Sequence, residues 1–272
     1  MSNGKVTGLY IYPVKSCRGI SLSELQIGSR GPLHDRKWMI VDENNQFITL
    51  RTFSKLAEIK TSVQGSFLHL YAGQNKILVN FSEECSIVED VTIWGKTFKA
   101  GIENKSINEA LSDFLSKSVK LVRYQSQSFR DLEEFATSAV KETTFTDSKP
   151  VLLANMGSLD DLNSKLVAKG AAPSVIERFR ANIIVEGFSA YEEEAAAVIK
   201  VGSILLSNPK LCGRCPIITQ DVETGLVVSK VTLQTLAEDR RQAGSSKIAF
   251  GVYLTPASTG VIRIGDTVSL TP

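Results

Sequence analysis

Residues 37–52, KWMIVDENNQFITLRT, decide the fold class. Positions 38–41 and 47–50 are short runs of aliphatic, aromatic and β-branched residues, and Glu43-Asn44-Asn45 between them is turn chemistry. Two such runs across a short polar connection predict an antiparallel pair. The surrounding sequence repeats the pattern. KVTGLYIYPV (5–14) is β-rich and ends at Pro13, and SFLHLYAG (66–73) with KILVNF (76–81) predicts a second hairpin, His69 facing solvent. Short strands at this regular spacing predict a twisted sheet or barrel rather than βαβ units.

Helical patterns are few. SINEALSDFLSK (106–117) places Ile107, Leu111, Phe114 and Leu115 on one face. A second helix is expected from an N-cap at Ser158, with Leu159, Leu162 and Leu166 as its stripe and Gly170 as its stop. VTLQTLAEDRRQA (231–243) predicts a third. ANIIVEG (181–187), AAVIKVGSILLS (196–207), KIAFGVYL (247–254) and GVIRIGDTVSL (260–270) predict strands, and the polar stretch 132–147 a loop or short helix. The expected class is therefore mixed α/β, β-dominated, with a few covering helices.

The 272 residues are 43% hydrophobic and 22% charged, with a net charge of +2 and no long basic run, which leaves no electrostatic footprint for nucleic acid. No apolar run is long enough to span a bilayer: Lys200 interrupts 195–206, and 248–262 is too short. The N-terminal residues lack the pattern of a secretory or transit leader. With four cysteines, too few for a disulfide framework, the expectation is a soluble cytoplasmic protein with no membrane anchor.

The chemistry centres on LCGRCPIITQDVETG (211–225). Structural zinc needs four ligands, and Cys17, Cys85, His34 and His69 are scattered without ligand spacing. A thioredoxin-like pair belongs at a helix N-terminus, whereas Pro216 and PIIT predict extended chain. Both cysteines could simply be small buried apolar residues. Arg214 argues otherwise, since a guanidinium beside a thiol favours the thiolate, a soft ligand for a transition metal. Asp221, Thr224 and Gly225 predict a turn that fixes this loop, with Gly225 at positive φ.

Together, YPVKSCRGI (12–20), DRKWMIVDENNQFITLR (35–51), RFRANIIVEG (178–187) and CGRCPIITQDVETG (212–225) resemble the MOSC-domain family, in particular its amidoxime-reducing subgroup. The resemblance covers nearly the whole chain. It implies an N-terminal MOSC β-barrel segment over residues 1–120 and a MOSC β-barrel domain over 121–272. It also implies a molybdenum cofactor (Mo-molybdopterin), a pyranopterin dithiolene with a terminal phosphate. The cysteine directly after the arginine, Cys215, is then the metal ligand and catalytic residue; Cys212 receives no role. Lys15, Ser16 and Arg36 are implied cofactor contacts, and Arg51 offers a further cation. Asp147, Ser148 and Lys149 of FTDSKP (145–150) match the loop against the pterin, although family members often have a small or polar residue where Lys149 stands. Arg180, Asn182, Gly213, Arg214 and Tyr253 complete the set. His34 directly precedes Asp35-Arg36, which predicts a place near the phosphate but no ligand role.

The function the resemblance implies is reduction of N-hydroxylated compounds such as amidoximes, hydroxylamines or N-hydroxylated bases. The alternative is a module that binds the cofactor or carries sulfur without turnover. The sequence has no iron–sulfur, haem-attachment or dinucleotide motif. Separate electron-transfer partners are therefore expected, of the haem cytochrome and flavin reductase type or the ferredoxin type.

Overall fold

The structure, a computed structural model, describes residues 3–130, 143–242 and 244–272. In chain order the first strands are β1 (Asn3–Ile11), β2 (Ile20–Ser21), β3 (Glu24–Gly28), β4 (Gly31–Pro32), β5 (Trp38–Asp42) and β6 (Lys60–Gln64). Then come β7 (Phe67–Ala72), β8 (Asn75–Asn80), β9 (Ile87–Ile93), β10 (Lys96–Ile102), α1 (Lys105–Leu115) and β11 (Val119–Arg123). The remainder is β12 (Val151–Asn155), α2 (Met156–Ala168), β13 (Ile183–Glu186), β14 (Val198–Val201), β15 (Ile204–Arg214) and α3 (Val231–Arg240), followed by β16 (Ile248–Pro256), β17 (Gly260–Arg263) and β18 (Thr267–Thr271).

Residues 37–52 make the expected turn but only half of the expected pair. Asp42 Oδ1 accepts the amides of Asn44 (2.9 Å) and Gln46 (3.0 Å), and Asn45 takes the left-handed conformation at φ 58°. The returning limb forms isolated bridges, Val41 with Phe47 and Gln46 with Thr92, instead of a strand. Strand β5 takes β11 as its partner, with Trp38 opposite Arg123. Its side chains divide between two cores: Trp38 and Ile40 enter one, Met39 and Val41 the other. Burial on both faces explains why this strand has no polar alternation.

Seven strands close a barrel in the order β13-β12-β16-β15-β14-β18-β1, because β1 pairs with β13 as well as with β18. The first strand of the chain is therefore a stave of a barrel otherwise drawn from residues 151–271. Its Val6, Leu9 and Ile11 join Val151, Ile199, Leu206 and Val252 in one buried cluster. Within the ring, β12 and β13 pair in parallel, and α2 lies in the connection such a pair requires. Beside the barrel stand a four-stranded sheet, β5-β11-β10-β9, and a three-stranded one, β6-β7-β8. The strand-dominated class with a few covering helices is borne out.

Helix α1 buries Ile107, Leu111 and Leu115 as its spacing predicts. Helix α2 starts earlier than expected: Asn155, not Ser158, is the cap, accepting from the Gly157 amide at 3.0 Å. Asn is at least as good a cap as Ser, and it comes first. Ser158 is buried instead and accepts from the Tyr191 amide at 2.8 Å. His69 is buried, not solvent-facing, because β7 is the central strand of its sheet and Ser62 and Leu78 flank the residue. PIIT (216–219) is a 3-10 turn rather than extended chain; Thr219 Oγ1 donates to the Pro216 carbonyl at 2.7 Å and stabilises it. Of the polar stretch 132–147, residues 132–142 lie outside the described residues and 143–147 form a loop. No helix among the described residues is long and apolar enough to cross a membrane.

Candidate functional site

The outer face of β12, β16 and β15, through Leu152, Tyr253 and Lys210, and loops from the neighbouring sheet converge on a cavity of about 550 Å³. It is lined by every candidate residue from the sequence: Lys15, Ser16, Arg36, Arg51, Asp147, Ser148, Lys149, Arg180, Asn182, Gly213, Arg214, Cys215 and Tyr253. Lys96, Arg130, Lys210 and Lys247 line it too, which makes ten lysines and arginines against the one carboxylate of Asp147 among the described residues. The chain as a whole carries only +2. The positive field therefore belongs to this cavity, and a cleft walled by one sign of charge concentrates anions.

Tyr12 is the anvil for two of these charges. The guanidiniums of Arg36 and Arg180 each lie 4.3 Å from its ring centroid. Arg36 donates from Nη1 to Asp35 Oδ2 (2.6 Å) and from Nη2 to the Arg180 carbonyl (2.9 Å). Buried Asp35 is itself fixed, its Oδ1 accepting the Tyr12 amide at 2.8 Å. Asn182 is a strut in the same wall: Nδ2 donates to the Tyr10 carbonyl (3.1 Å) and Oδ1 accepts the Leu152 amide (3.1 Å).

Lys15 Nζ donates to Asp147 Oδ1 (2.5 Å) and to the Phe145 carbonyl (2.9 Å). Burial pushes the Lys15 ammonium below its usual pKa, against the pull of Asp147. Burial also pushes Asp147 up, but Lys15, Arg36 and the Trp94 Nε1–H outweigh it and bring the carboxyl to about 2. The two partners differ because the Lys15 side chain is 6% exposed and that of Asp147 55% exposed, open to the cavity. Solvent there screens the pair.

Backbone strain gathers at this cavity. Ser16, Arg36, Trp94 and Arg180 have φ of 69°, 45°, 52° and 53°. Side chains bearing a Cβ rarely adopt this region, and its cost is held by the bonds around it. Trp94 and Gly95 make the two-residue turn between β9 and β10, both at positive φ, a shape that favours Asn-Gly. The tryptophan in that turn is 44% exposed, with its Nε1 donating to Asp147 (3.2 Å) and the Arg51 guanidinium 4.3 Å from its ring centroid.

The cysteine loop leaves the end of β15 and ties the two halves together. Cys212 and Ile218 pack in the core under α2 and α3, while Ile217 packs against the core of the other half. Gln220 Nε2 donates to the Leu50 carbonyl (2.9 Å), and Arg18 pairs with Glu223 (3.2 Å). The predicted turn is present: Asp221 Oδ1 accepts from Thr224 N (2.9 Å), Thr224 Oγ1 (3.0 Å) and Glu223 N (3.0 Å), and Gly225 has φ 67°.

Arg214 differs from expectation. Its fork grips Cys212 Sγ from Nη1 (2.7 Å) and the Phe179 carbonyl from Nη2 (2.5 Å), so it acts on Cys215 as a nearby charge. Burial first, then Cys212, pushes the Tyr253 hydroxyl well above its usual value, and the hydroxyl is hydrogen-bonded to Cys212. Cys212 is 1% exposed, whereas Cys215 is half-buried on the cavity wall. Cys17 is fully buried, and burial pushes its thiol to about 12. His34 packs on Phe81 (4.9 Å between centroids) and is not among the lining residues; burial and Lys37 hold it at about 4.

Tyr12, Trp94, Lys96, Arg130, Lys210 and Lys247 escaped the sequence reading. Trp94-Gly95, directly between two β-rich runs, was the one local signal of a hairpin turn.

A strand-closed barrel with a cation-rich cavity on its flank, lined by Cys212 and Cys215, offers a site suited to an anionic ligand, and sequence comparison supplies the family. Residues 3–118 match the MOSC N-terminal beta barrel domain and residues 140–269 the MOSC domain; the chain belongs to the MOSC family. Mitochondrial amidoxime-reducing component 1 of Homo sapiens is 30% identical over 288 residues, covering 98% of this chain and 83% of its own. The Mus musculus protein of the same name is 31% identical, covering 98% and 82%. Molybdenum cofactor sulfurase of Oryza sativa subsp. japonica is 26% identical, covering 93% of this chain and 33% of its own. The chain is thus related to molybdenum-cofactor proteins.

The residues present suit such a group. A terminal phosphate needs cations and hydroxyls, which Lys15, Arg36, Arg180 and Ser16 provide. The Nε atoms of Arg130 and Arg214 are buried on this wall without a hydrogen-bond partner among the described residues. No group of three or more His, Cys, Asp or Glu that could hold a bare metal ion occurs among them.

Proposed function

We propose that the cavity binds Mo-molybdopterin with Cys215 as the protein's metal ligand, and that the loaded protein reduces N-hydroxylated compounds such as amidoximes, hydroxylamines and N-hydroxylated bases. The observation that carries this is the half-buried Cys215 thiol on the wall of a cavity with ten cations and one carboxylate. When bound, the cofactor supplies two-electron chemistry at a sulfur-ligated metal.

The chain's own residues bind, orient and shield. Lys15, Arg36 and Arg180 grip the phosphate, with Ser16 as a hydroxyl donor. Asp147, ionised down to about pH 2, accepts from pterin N–H groups, beside Ser148 and Lys149. Asn182 holds the wall rather than the ligand, Gly213 offers backbone, and Tyr253 closes the site over Cys212. Cys215, with the Arg214 charge nearby, stays a ligand and attacks nothing. Electrons come from separate carrier proteins, of the haem cytochrome and flavin reductase type or the ferredoxin type. The likeness to a molybdenum cofactor sulfurase over a third of that protein's length supports a second reading, a cofactor carrier.

Purification from a cofactor-making host, with metal analysis and benzamidoxime reduction by an artificial reductant, tests both. Near-stoichiometric molybdenum with turnover is expected. Bound cofactor without turnover selects the carrier, and absence of molybdenum rejects both.

A further inference from the structure

Arg51, Lys96 and Lys247 are the exposed cations at this cavity, and Arg51 and Lys247 stand apart from the deep set. Lys15, Arg36 and Arg180 are buried or half-buried, whereas Arg51 and Lys247 are exposed. Strand β15 pairs Gly213 with Ala249 and Arg214 with Ile248, so the ladder ends one residue short of Lys247 on one strand and of Cys215 on the other, and both line the cavity. Its stem lies along Gly213: a Cβ added to that glycine would sit 3.5 Å from Lys247 Cδ. The Lys247 ammonium has no acidic partner among the described residues. Arg51 rests on the Trp94 ring rather than on a carboxylate. Both are therefore available to an anion, and a cleft so one-sided in charge raises the local concentration of anionic ligands.

We propose that the substrate of this site carries an oxyanion, a phosphate or carboxylate, which Lys247 binds beside Cys215 with Arg51 as a second contact. The inference rests on the reductase reading and narrows its substrate class. An uncharged amidoxime uses neither cation. An N-hydroxylated nucleotide, or an amidoxime bearing a carboxylate, uses them.

The cofactor-loaded protein should be assayed with two substrate pairs. One is an N-hydroxylated nucleoside and its 5′-monophosphate, the other benzamidoxime and its 4-carboxylate. The charged member should show kcat/KM roughly ten-fold higher, the size of one charge-assisted contact. In Lys247→Ala the ratio should fall to about one, and in Lys247→Glu below one, as a charge reversal on an exposed residue requires. Advantage for the phosphate pair alone identifies a phosphate subsite, and for the carboxylate pair alone a carboxylate subsite.

Calorimetry of the same loaded protein with an ordinary nucleoside and its 5′-monophosphate reads binding without turnover. Tighter binding of the monophosphate, lost in Lys247→Ala, supports the subsite even if no N-hydroxylated compound is reduced; that result rejects the reductase reading alone. Equal kcat/KM and equal binding within both pairs, or a preference untouched by either Lys247 variant, overturns the inference and leaves the reductase reading standing.

Discussion

At position 214 a guanidinium sits between a sulfur and a carbonyl, and its neighbours decide what each cysteine is for. Cys212 Sγ, 2.7 Å from Nη1, holds Arg214 in place, while Cys215 stands free on the cavity wall. Cys212→Ala should leave the arginine without that acceptor and lower stability by about 1–3 kcal/mol in urea unfolding, with the metal still bound. Cys215→Ala should barely change unfolding but abolish both metal retention and turnover; the reverse ranking refutes the ligand assignment. Asp147 governs Lys15 in the same way. Burial favours the neutral amine and Asp147 opposes it, so Asp147→Asn should let Lys15 lose its proton at lower pH. Calorimetric phosphate binding to the cofactor-free variant should then fall away at lower pH than in the parent; coincident profiles would exclude this coupling.

At the scale of elements, the turn after the cysteine loop is fixed by contact as much as by conformation. A Cβ on Gly225 would meet the Ser54 carbonyl oxygen at 2.3 Å, and φ is 67°. Gly225→Ala should destabilise by about 2 kcal/mol or more and weaken cofactor retention through loss of loop docking, measurable by unfolding and metal content. The segment that follows β13 holds another conditional element. Glu193 is fully buried against Asn155 (3.1 Å), and burial raises its carboxyl to about 7. An unfolded glutamate ionises near 4.3, so between about pH 4.3 and 7 the unfolded chain releases a proton that the folded chain keeps. Stability from this group is complete below that window and lost as pH rises through about 7, on the order of 3 kcal/mol in all. Glu193→Gln should flatten that slope in urea titrations, and an unchanged slope would assign it elsewhere. What the sequence made legible here was local. The Glu43-Asn44-Asn45 turn, the α1 stripe and the Asp221–Gly225 turn all follow from side chains within a few residues. The return limb after Asn45 was misread because its fate rests on β9, where Phe47 N donates to Thr92 O at 3.2 Å. Motif order brought the deep cations and Cys215 into view, whereas Lys247 and Tyr12 acquire their places only through cross-strand register and cation stacking.

On the scale of the whole molecule, the ring of staves crosses the chain's apparent division. Residues 121–272 alone lack β1, which leaves β13 and β18 as open edges and removes Val6, Leu9 and Ile11 from the barrel cluster. That fragment should show no cooperative urea transition, since burial of three such side chains contributes roughly 5 kcal/mol. Fusing residues 1–20 behind Pro272 through a flexible linker should restore one; a cooperative transition in the unfused fragment would disprove the dependence. The same closure imposes an order of events in the cell. Strand β1 emerges from the ribosome before the other staves, and one of its two barrel neighbours, β18, after all of them. At normal elongation rates the interval is on the order of 10–50 s. Throughout it, the buried face of β1 waits unsheltered, so newly made chains should depend on a holding chaperone until β18 has emerged.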